Sequence, residues 1–140
     1  MPASQVPAAR YVHPSFFMAR VVNPIVTAIG APALTVRGRR TGRSITVPLA
    51  SFEYDGKRYL VGGRGQAQWT RNLRAAGAAR LRVGRRSFGF TAVELAGAER
   101  DRVLDAYRSA LGRRVAAFFT VLPDPADHPV FRVDPDAAQA

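Results

Sequence analysis

The 140-residue sequence contains no cysteine and a single lysine, Lys57. Without cysteine the chain has no disulfide, no zinc–thiolate site and no cysteine nucleophile, which mildly favours a cytoplasmic protein. No stretch of about 18 residues is continuously apolar, so we expect no membrane-spanning helix. The first residues, MPASQVPAAR, lack the cationic and apolar regions of a signal peptide, and we expect none.

Acidic residues are also scarce. Lysine and arginine number 21 against 10 aspartate and glutamate residues, which gives a formal net charge of +11. Such a charge favours an anionic partner: nucleic acid, a phosphorylated cofactor or an anionic membrane surface. No His, Asp and Glu residues have metal-ligand spacing, so no metal site is predicted. His13 and His128 lie beside prolines, away from any nucleophile motif, and are assigned structural or incidental roles.

The length predicts one domain, residues 14–134, with a loose N-terminal segment, 1–13, and a tail, 135–140. Apolar periodicity predicts helices over 14–29, 66–76, 97–111 and 115–122. Strands are predicted over 33–37, 44–54, 57–63, 81–83 and 87–95, and 128–133 is predicted to be a last edge strand. Asp55-Gly56 is a strong hairpin signal. Five or six antiparallel strands with helices between and around them describe an α+β protein built on a small barrel or half-open sheet.

A basic turn lies between two short strand-like runs in the stretch LTVRGRRTGRSITVPL, residues 34–49. Arg37, Arg39, Arg40 and Arg43 place four permanent positive charges within seven residues. Crowded like charges destabilise a fold unless an anion binds among them. This turn is therefore the first candidate ligand site.

A second candidate is the glycine loop Gly62-Gly63-Arg64-Gly65, which leads into the predicted helix 66–76. The free N–H groups and dipole of a helix N-terminus attract anions such as phosphate. Nucleic acid is the rival ligand, because arginines interleaved with glycine and aromatic residues can follow a phosphate backbone. No recognition helix or RNA-binding motif accompanies them. The amphipathic helix 14–29 is interpreted as a packing helix, or as one that contacts a membrane or covers a ligand pocket.

Two motifs carry a family resemblance. The run from Leu34 to Gly42, LTVRGRRTG, followed by Pro48-Leu49, resembles the T-x-G-R-[KR]-[ST]-G…P-L signature of the deazaflavin (F420)-dependent nitroreductase family. The run from Trp69 to Ala75, WTRNLRA, is similar to that family's W-x-x-N-L-x-A helix. The order of strand, basic turn, hairpin, glycine loop and helix agrees over residues 23–133.

The resemblance implies a split β-barrel, similar to FMN-binding barrels, that holds coenzyme F420, an 8-hydroxy-5-deazaflavin. It implies hydride transfer from reduced F420 to a hydrophobic electrophile such as a quinone, nitro compound or activated alkene. No side chain need then be an acid or base, and no catalytic residue is assigned. The implied coenzyme-binding residues are Arg39, Arg40, Thr41, Val47, Pro48, Val61, Gly63, Arg64, Gly65, Trp69 and Asn72.

The sequence departs from the family at Ile45, where arginine is usual, and at Gly63-Arg64, where Ser-Lys is frequent. The late tyrosines that family members place over the substrate have no clear counterpart, and Tyr107, Phe118 and Phe119 are the predicted substitutes. Three alternatives stay open: FMN or haem in place of the deazaflavin, a carrier without turnover, and a nucleic-acid-binding protein. We expect a cytoplasmic monomer or homodimer, with peripheral membrane contact through the N-terminal helix as an alternative.

Overall fold

A computed structural model describes residues 31–137. The strands are β1 (Ala33–Arg37), β2 (Ser44–Pro48), β3 (Phe52–Tyr54), β4 (Lys57–Val61), β5 (Ala78–Val83), β6 (Arg86–Glu94) and β7 (Val130–Pro135). The helices are α1 (Gln68–Ala76), α2 (Gly97–Leu111) and α3 (Arg113–Val121), with a 3₁₀ turn at Pro125–Asp127. None of these helices in 31–137 is long and apolar enough to cross a membrane. The predicted helix 14–29, with its predicted membrane contact, lies outside the described residues.

One antiparallel sheet in the order β2-β1-β5-β6-β7-β4-β3 contains all seven described strands. Its two edge strands, β2 and β3, follow each other in the chain and are joined only by residues 49–51. That connection spans at most about 14 Å. The edges of a flat seven-stranded sheet would lie about 29 Å apart. The sheet therefore curls until its edges approach, and it forms a half-barrel split between β2 and β3, as the α+β prediction states.

Local signals located most elements. Asp55-Gly56 joins β3 to β4 as predicted, with Phe52 opposite Tyr59, and both turn residues have positive φ angles, 53° and 76°. The predicted helix ends are confirmed at Gly77, which closes α1, and at Leu111, the last residue of α2.

Two predictions about strands were wrong. The run 44–54 forms two strands, because the chain leaves β2 after Pro48 and crosses to β3 at the other edge of the sheet. The Leu49 N–H, at the start of this crossing, still donates to the Pro32 carbonyl. The last strand is not at an edge, since β7 lies between β6 and β4 and pairs with both. Strand β5 also begins at Ala78, three residues before the predicted start at Leu81.

Two clusters of buried side chains lie on the two faces of the sheet. Strand β4 shows the division: Leu60 points into the first cluster, whereas Tyr59 and Val61 belong to the second. The first fills the barrel and includes Leu34, Val36, Leu60, Leu73, Leu81, Phe88, Phe90, Phe131 and Val133. The second lies under α2 and α3 and includes Tyr59, Val61, Leu95, Val103, Leu104, Val115, Phe119 and Val130. The glycine loop therefore begins at the end of β4, where the successive residues Leu60 and Val61 point into different clusters.

Candidate coenzyme and acceptor site

The basic turn between β1 and β2 is closed by its own backbone. The Gly38 N–H donates to the Arg43 carbonyl at 2.7 Å, and the Gly42 N–H donates to the Gly38 carbonyl at 2.9 Å. The Thr41 hydroxyl accepts from the Arg43 N–H at 3.3 Å. Arg40 and Arg43 are exposed, so their guanidinium groups are accessible to a ligand.

Asn72, on α1, joins this turn to the second motif. Its side-chain oxygen Oδ1 accepts two hydrogen bonds from Arg39, one from the backbone N–H at 3.1 Å and one from Nη1 at 2.7 Å. Asn72 is buried, with 4% of its surface exposed. The two motifs are 33 residues apart in the chain, and this contact makes them one site.

The positive charge of the turn is not neutralised within the described part of the chain. Within residues 31–137, ion pairs join Arg58 to Glu53, Arg74 to Glu94, Arg100 to Asp101 and Arg132 to Asp134, and none of these four involves the turn. Burial and the neighbouring charges of Arg40 and Arg71 lower the pKa of Arg39 from its ordinary value. Arginine stays charged despite such a shift, so a bound anion would relieve repulsion among these residues.

Apolar side chains flank the turn. Val47 and Pro48 are half-buried on β2, and Val47 packs against the first core cluster. Trp69, one turn before Asn72 on α1, packs there too, 6.2 Å from the ring of Phe131. Ile45 is 39% exposed, and its Cδ1 would lie 2.9 Å from a Cβ at Gly38. An apolar side chain thus covers the turn at the position where the family usually has arginine.

The glycine loop follows β4 and is fastened to the start of β7. The Gly62 N–H donates to the Pro129 carbonyl at 2.7 Å, and the Gly65 N–H donates to the Gly62 carbonyl at 3.0 Å. Val61, just before the loop, is buried in the second cluster. The loop enters α1 at Ala67, an N-cap without a capping side-chain bond, and the first turn of α1 has no acidic residue. This helix N-terminus is open to an anion.

Gly62→Ala is expected to lower the free energy of unfolding by about 1–3 kcal/mol, the usual range for overpacking. A Cβ there would lie 2.9 Å from Pro129 Cδ, 3.1 Å from the Gly65 carbonyl oxygen and 3.2 Å from Thr70 Cγ2. Urea denaturation measures the change. Gly63→Ala is the matched control, because its added methyl meets only side-chain atoms; equal losses for the two variants would contradict the backbone constraint at Gly62.

The aromatic side chains of Tyr107 and Phe118 pack against Gly63, and we call these three residues the aromatic patch. A Cβ on Gly63 would lie 3.0 Å from the Tyr107 hydroxyl and 3.6 Å from Phe118 Cδ2. The Arg64 guanidinium lies over the Phe118 ring, 4.8 Å from its centroid. Burial raises the pKa of Tyr107 from its ordinary value, with the charge of Arg64 acting in the opposite direction. The hydroxyl of Tyr107 is therefore neutral and can donate a hydrogen bond at neutral pH.

Phe119 lies behind the aromatic patch, in the core. It is buried in the second core cluster, 5% exposed, and stacks on the ring of His128 at 4.1 Å. Two residues that the sequence did not assign to the site also support it. Phe52 packs edge-on against Tyr107 at 5.5 Å, and His128 contacts the glycine loop. Phe52 could have been found as an aromatic residue beside the hairpin, but no local signal marks His128. Within residues 31–137 there is no group of three potential metal ligands.

Comparison with known proteins gives a consistent result. The family model described as F420H(2)-dependent quinone reductase matches residues 15–116. The solved structure of an F420-H2 dependent reductase (FDR-A) is 28% identical with a TM-score of 0.60, covering 74% of this chain and 92% of that one. No curated protein sequence matches the chain.

More distant structures share the architecture. HutZ, a haem storage protein from Vibrio cholerae, is 11% identical with a TM-score of 0.57, covering 96% of this chain and 89% of that one. A FAD-binding protein from Mesorhizobium loti is 13% identical with a TM-score of 0.50, covering 97% and 91%. At such identities the likeness shows the fold alone, and it confirms the predicted split β-barrel.

Proposed function

The chain belongs to the F420H(2)-dependent quinone reductase family, and from that premise we propose which acceptor it reduces and which residues hold coenzyme and acceptor. It is an F420-dependent reductase, as the sequence motifs predicted. The proposed acceptor is a flat, hydrophobic electrophile: a quinone, a nitro compound or an activated alkene. The aromatic patch at Gly63 is the observation that carries this proposal, because it pairs an apolar ring with a hydroxyl donor.

The residues present fit the coenzyme. F420 combines a flat ring with a phosphate and an acidic tail, and the chain has a cationic turn without a carboxylate partner in residues 31–137. Asn72 lies about 6 Å along the axis of α1 from its first residue, at 1.5 Å per residue. The uncapped start of α1 and the Arg39–Asn72 contact are thus two anion-binding positions on one short helix.

We assign the coenzyme-binding roles accordingly. Arg39, Arg40 and Thr41 bind phosphate or tail, since a guanidinium suits both groups. Val47, Pro48 and Val61 provide the apolar surroundings of the ring, with Val61 acting from within the second cluster. The remaining contacts come from the glycine loop and α1, through Gly63, Arg64, Gly65, Trp69 and Asn72. When bound, the deazaflavin supplies the hydride.

The acceptor is assigned to the aromatic patch, where α2 and α3 pack against Gly63. Phe118 offers a ring face next to Gly63, and Tyr107 offers its hydroxyl to an acceptor oxygen. Phe119 supports Phe118 from the core rather than touching the acceptor. The protein's contribution is orientation and exclusion of water, because a well-placed pair of reactants needs no further acid or base.

The acceptor class is tested by oxidation of reduced F420 followed by absorbance. Turnover is expected with menadione, a nitroaromatic or an enone, and is expected to fall about tenfold or more when Phe118→Ala removes the ring face, since near-attack geometry is lost. Arg113→Ala, on the exposed start of α3, is the control and should turn over as the unchanged protein does. Coenzyme binding without turnover of any of the three classes would favour a carrier. Titration with FMN beside F420 separates the two cofactors.

A further inference from the structure

His128 is completely buried, and its ring connects two elements that border the site. Nδ1 lies 3.1 Å from the carbonyl oxygen of Gly63, in the glycine loop. Nε2 lies 2.6 Å from the carbonyl oxygen of Leu122, the C-cap of α3. The ring also stacks on Phe119 of α3, with centroids 4.1 Å apart and planes at 19°.

These contacts satisfy polar groups that water cannot reach. A neutral imidazole has one N–H and an imidazolium has two, so the ring donates to one or both of these carbonyls. The Leu122 carbonyl is at a helix C-terminus, where the last carbonyls have no partner within the helix. The loop and the helix end are 59 residues apart in the chain, and His128 is the side chain that contacts both.

Gly63 and Phe118 are packed closely in the aromatic patch, since a Cβ on Gly63 would lie 3.6 Å from Phe118 Cδ2. His128 contacts the carbonyl of Gly63 on one side and the end of the helix that bears Phe118 on the other. We propose that His128 is a positioning residue that fixes the glycine loop against the end of α3 and thereby sets the geometry of the aromatic patch to which the acceptor is assigned. The part that concerns the acceptor rests on the function proposed above; the part that concerns the loop and helix does not.

Two substitutions separate the two contacts. Asparagine places an amide N–H near the Nδ1 position, so His128→Asn keeps the contact to Gly63 and loses the one to Leu122. Glutamine places it near Nε2, so His128→Gln keeps the contact to Leu122 and loses the one to Gly63. Val103→Ala is the control, because it removes buried volume under α2 and leaves both contacts intact.

Hydrogen exchange of the protein without coenzyme is the first measurement. The Gly62 and Gly65 amides report on the loop, and the Leu122 amide, which donates to the Phe118 carbonyl at 2.9 Å, reports on the end of α3. His128→Gln should raise the exchange rates of the Gly62 and Gly65 amides about tenfold and leave that of Leu122 unchanged. His128→Asn should have the reverse effect, because each variant loses one hydrogen bond. If both variants instead speed exchange at all three amides together, as a general loss of core packing in Val103→Ala is expected to do, His128 is only a core residue and the proposal fails.

Steady-state kinetics is the second measurement. His128→Gln is expected to raise the coenzyme Kd threefold or more, whereas His128→Asn should raise the acceptor KM threefold or more with coenzyme Kd unchanged. Parallel changes in both constants for both variants would overturn the proposal. If the protein reduces none of the proposed acceptors, the proposed function is refuted. The hydrogen-exchange pattern still decides the role of His128.

Discussion

Replacing Arg39 with alanine is expected to weaken the binding of F420 by more than tenfold. The substitution removes one positive charge from the turn and the hydrogen bond that Arg39 Nη1 donates to Asn72 Oδ1. Charge-assisted hydrogen bonds to phosphate or carboxylate are about twice as strong as neutral ones. A fluorescence titration with purified coenzyme measures the loss, and an unchanged Kd would remove Arg39 from the site.

A control variant and a second variant in the turn separate local binding from net charge. Arg85→Ala deletes an equal charge on the exposed turn between β5 and β6 and should change the Kd by less than about twofold, since exposed charges beyond a Debye length are screened. Arg40→Ala should weaken binding in the same direction as Arg39→Ala, because Arg40 is exposed in the same turn. Equal effects of Arg39→Ala and Arg85→Ala would point to general electrostatic attraction instead.

The contact between the motifs has its own test. Asn72→Leu leaves the charge of Arg39 in place but removes the acceptor for its two hydrogen bonds. In a double-mutant cycle with Arg39→Ala, the two effects on coenzyme binding should be less than additive, because residues in one hydrogen-bonded pair couple. Strict additivity would mean that Asn72 and Arg39 act on the coenzyme separately.

Gly63→Val is expected to reduce acceptor turnover most severely among single changes in the aromatic patch. Even a Cβ at this position would lie 3.0 Å from the Tyr107 hydroxyl, and valine adds two methyl groups beyond it. Because a displacement of about 1 Å in the bound geometry can cost on the order of 100-fold in rate, we expect kcat/KM to fall to that extent. Steady-state kinetics with a quinone acceptor measures it.

A rescue variant makes this prediction specific. Gly63→Ala alone should lower kcat/KM about tenfold by the same displacement argument. Combining it with Tyr107→Phe removes the hydroxyl, after which the nearest side-chain atoms to the new methyl are 3.6 and 3.7 Å away, an ordinary contact distance. The double variant should therefore recover activity relative to Gly63→Ala, but only to the level of Tyr107→Phe alone, which lacks the hydroxyl; a double variant no more active than Gly63→Ala would contradict the steric explanation. If Tyr107→Phe alone is as impaired as the double variant, the hydroxyl itself serves the acceptor, as proposed above.

The sequence located several features that depend on neighbours in the chain. The Asp55-Gly56 turn, the end of α1 at Gly77 and the strand before the basic turn all occur where local patterns predicted them. The same patterns failed where the outcome depends on distant pairing. Continuous β-forming residues from 44 to 54 gave no sign that the chain leaves one sheet edge after Pro48 and begins the other at Phe52.

The sequence by itself determined that Arg37–Arg43 is a cationic turn, for which it predicts an anionic ligand, and that a glycine loop leads into the helix bearing Trp69 and Asn72. Only the tertiary structure decided that Asn72 holds Arg39, that Tyr107 faces Gly63, and that the last strand lies inside the sheet. Turn chemistry and periodicity are fixed by residues a few positions apart. Contacts over 33 to 65 residues exist only once the sheet has curled and its helices have packed, so no local pattern encodes them.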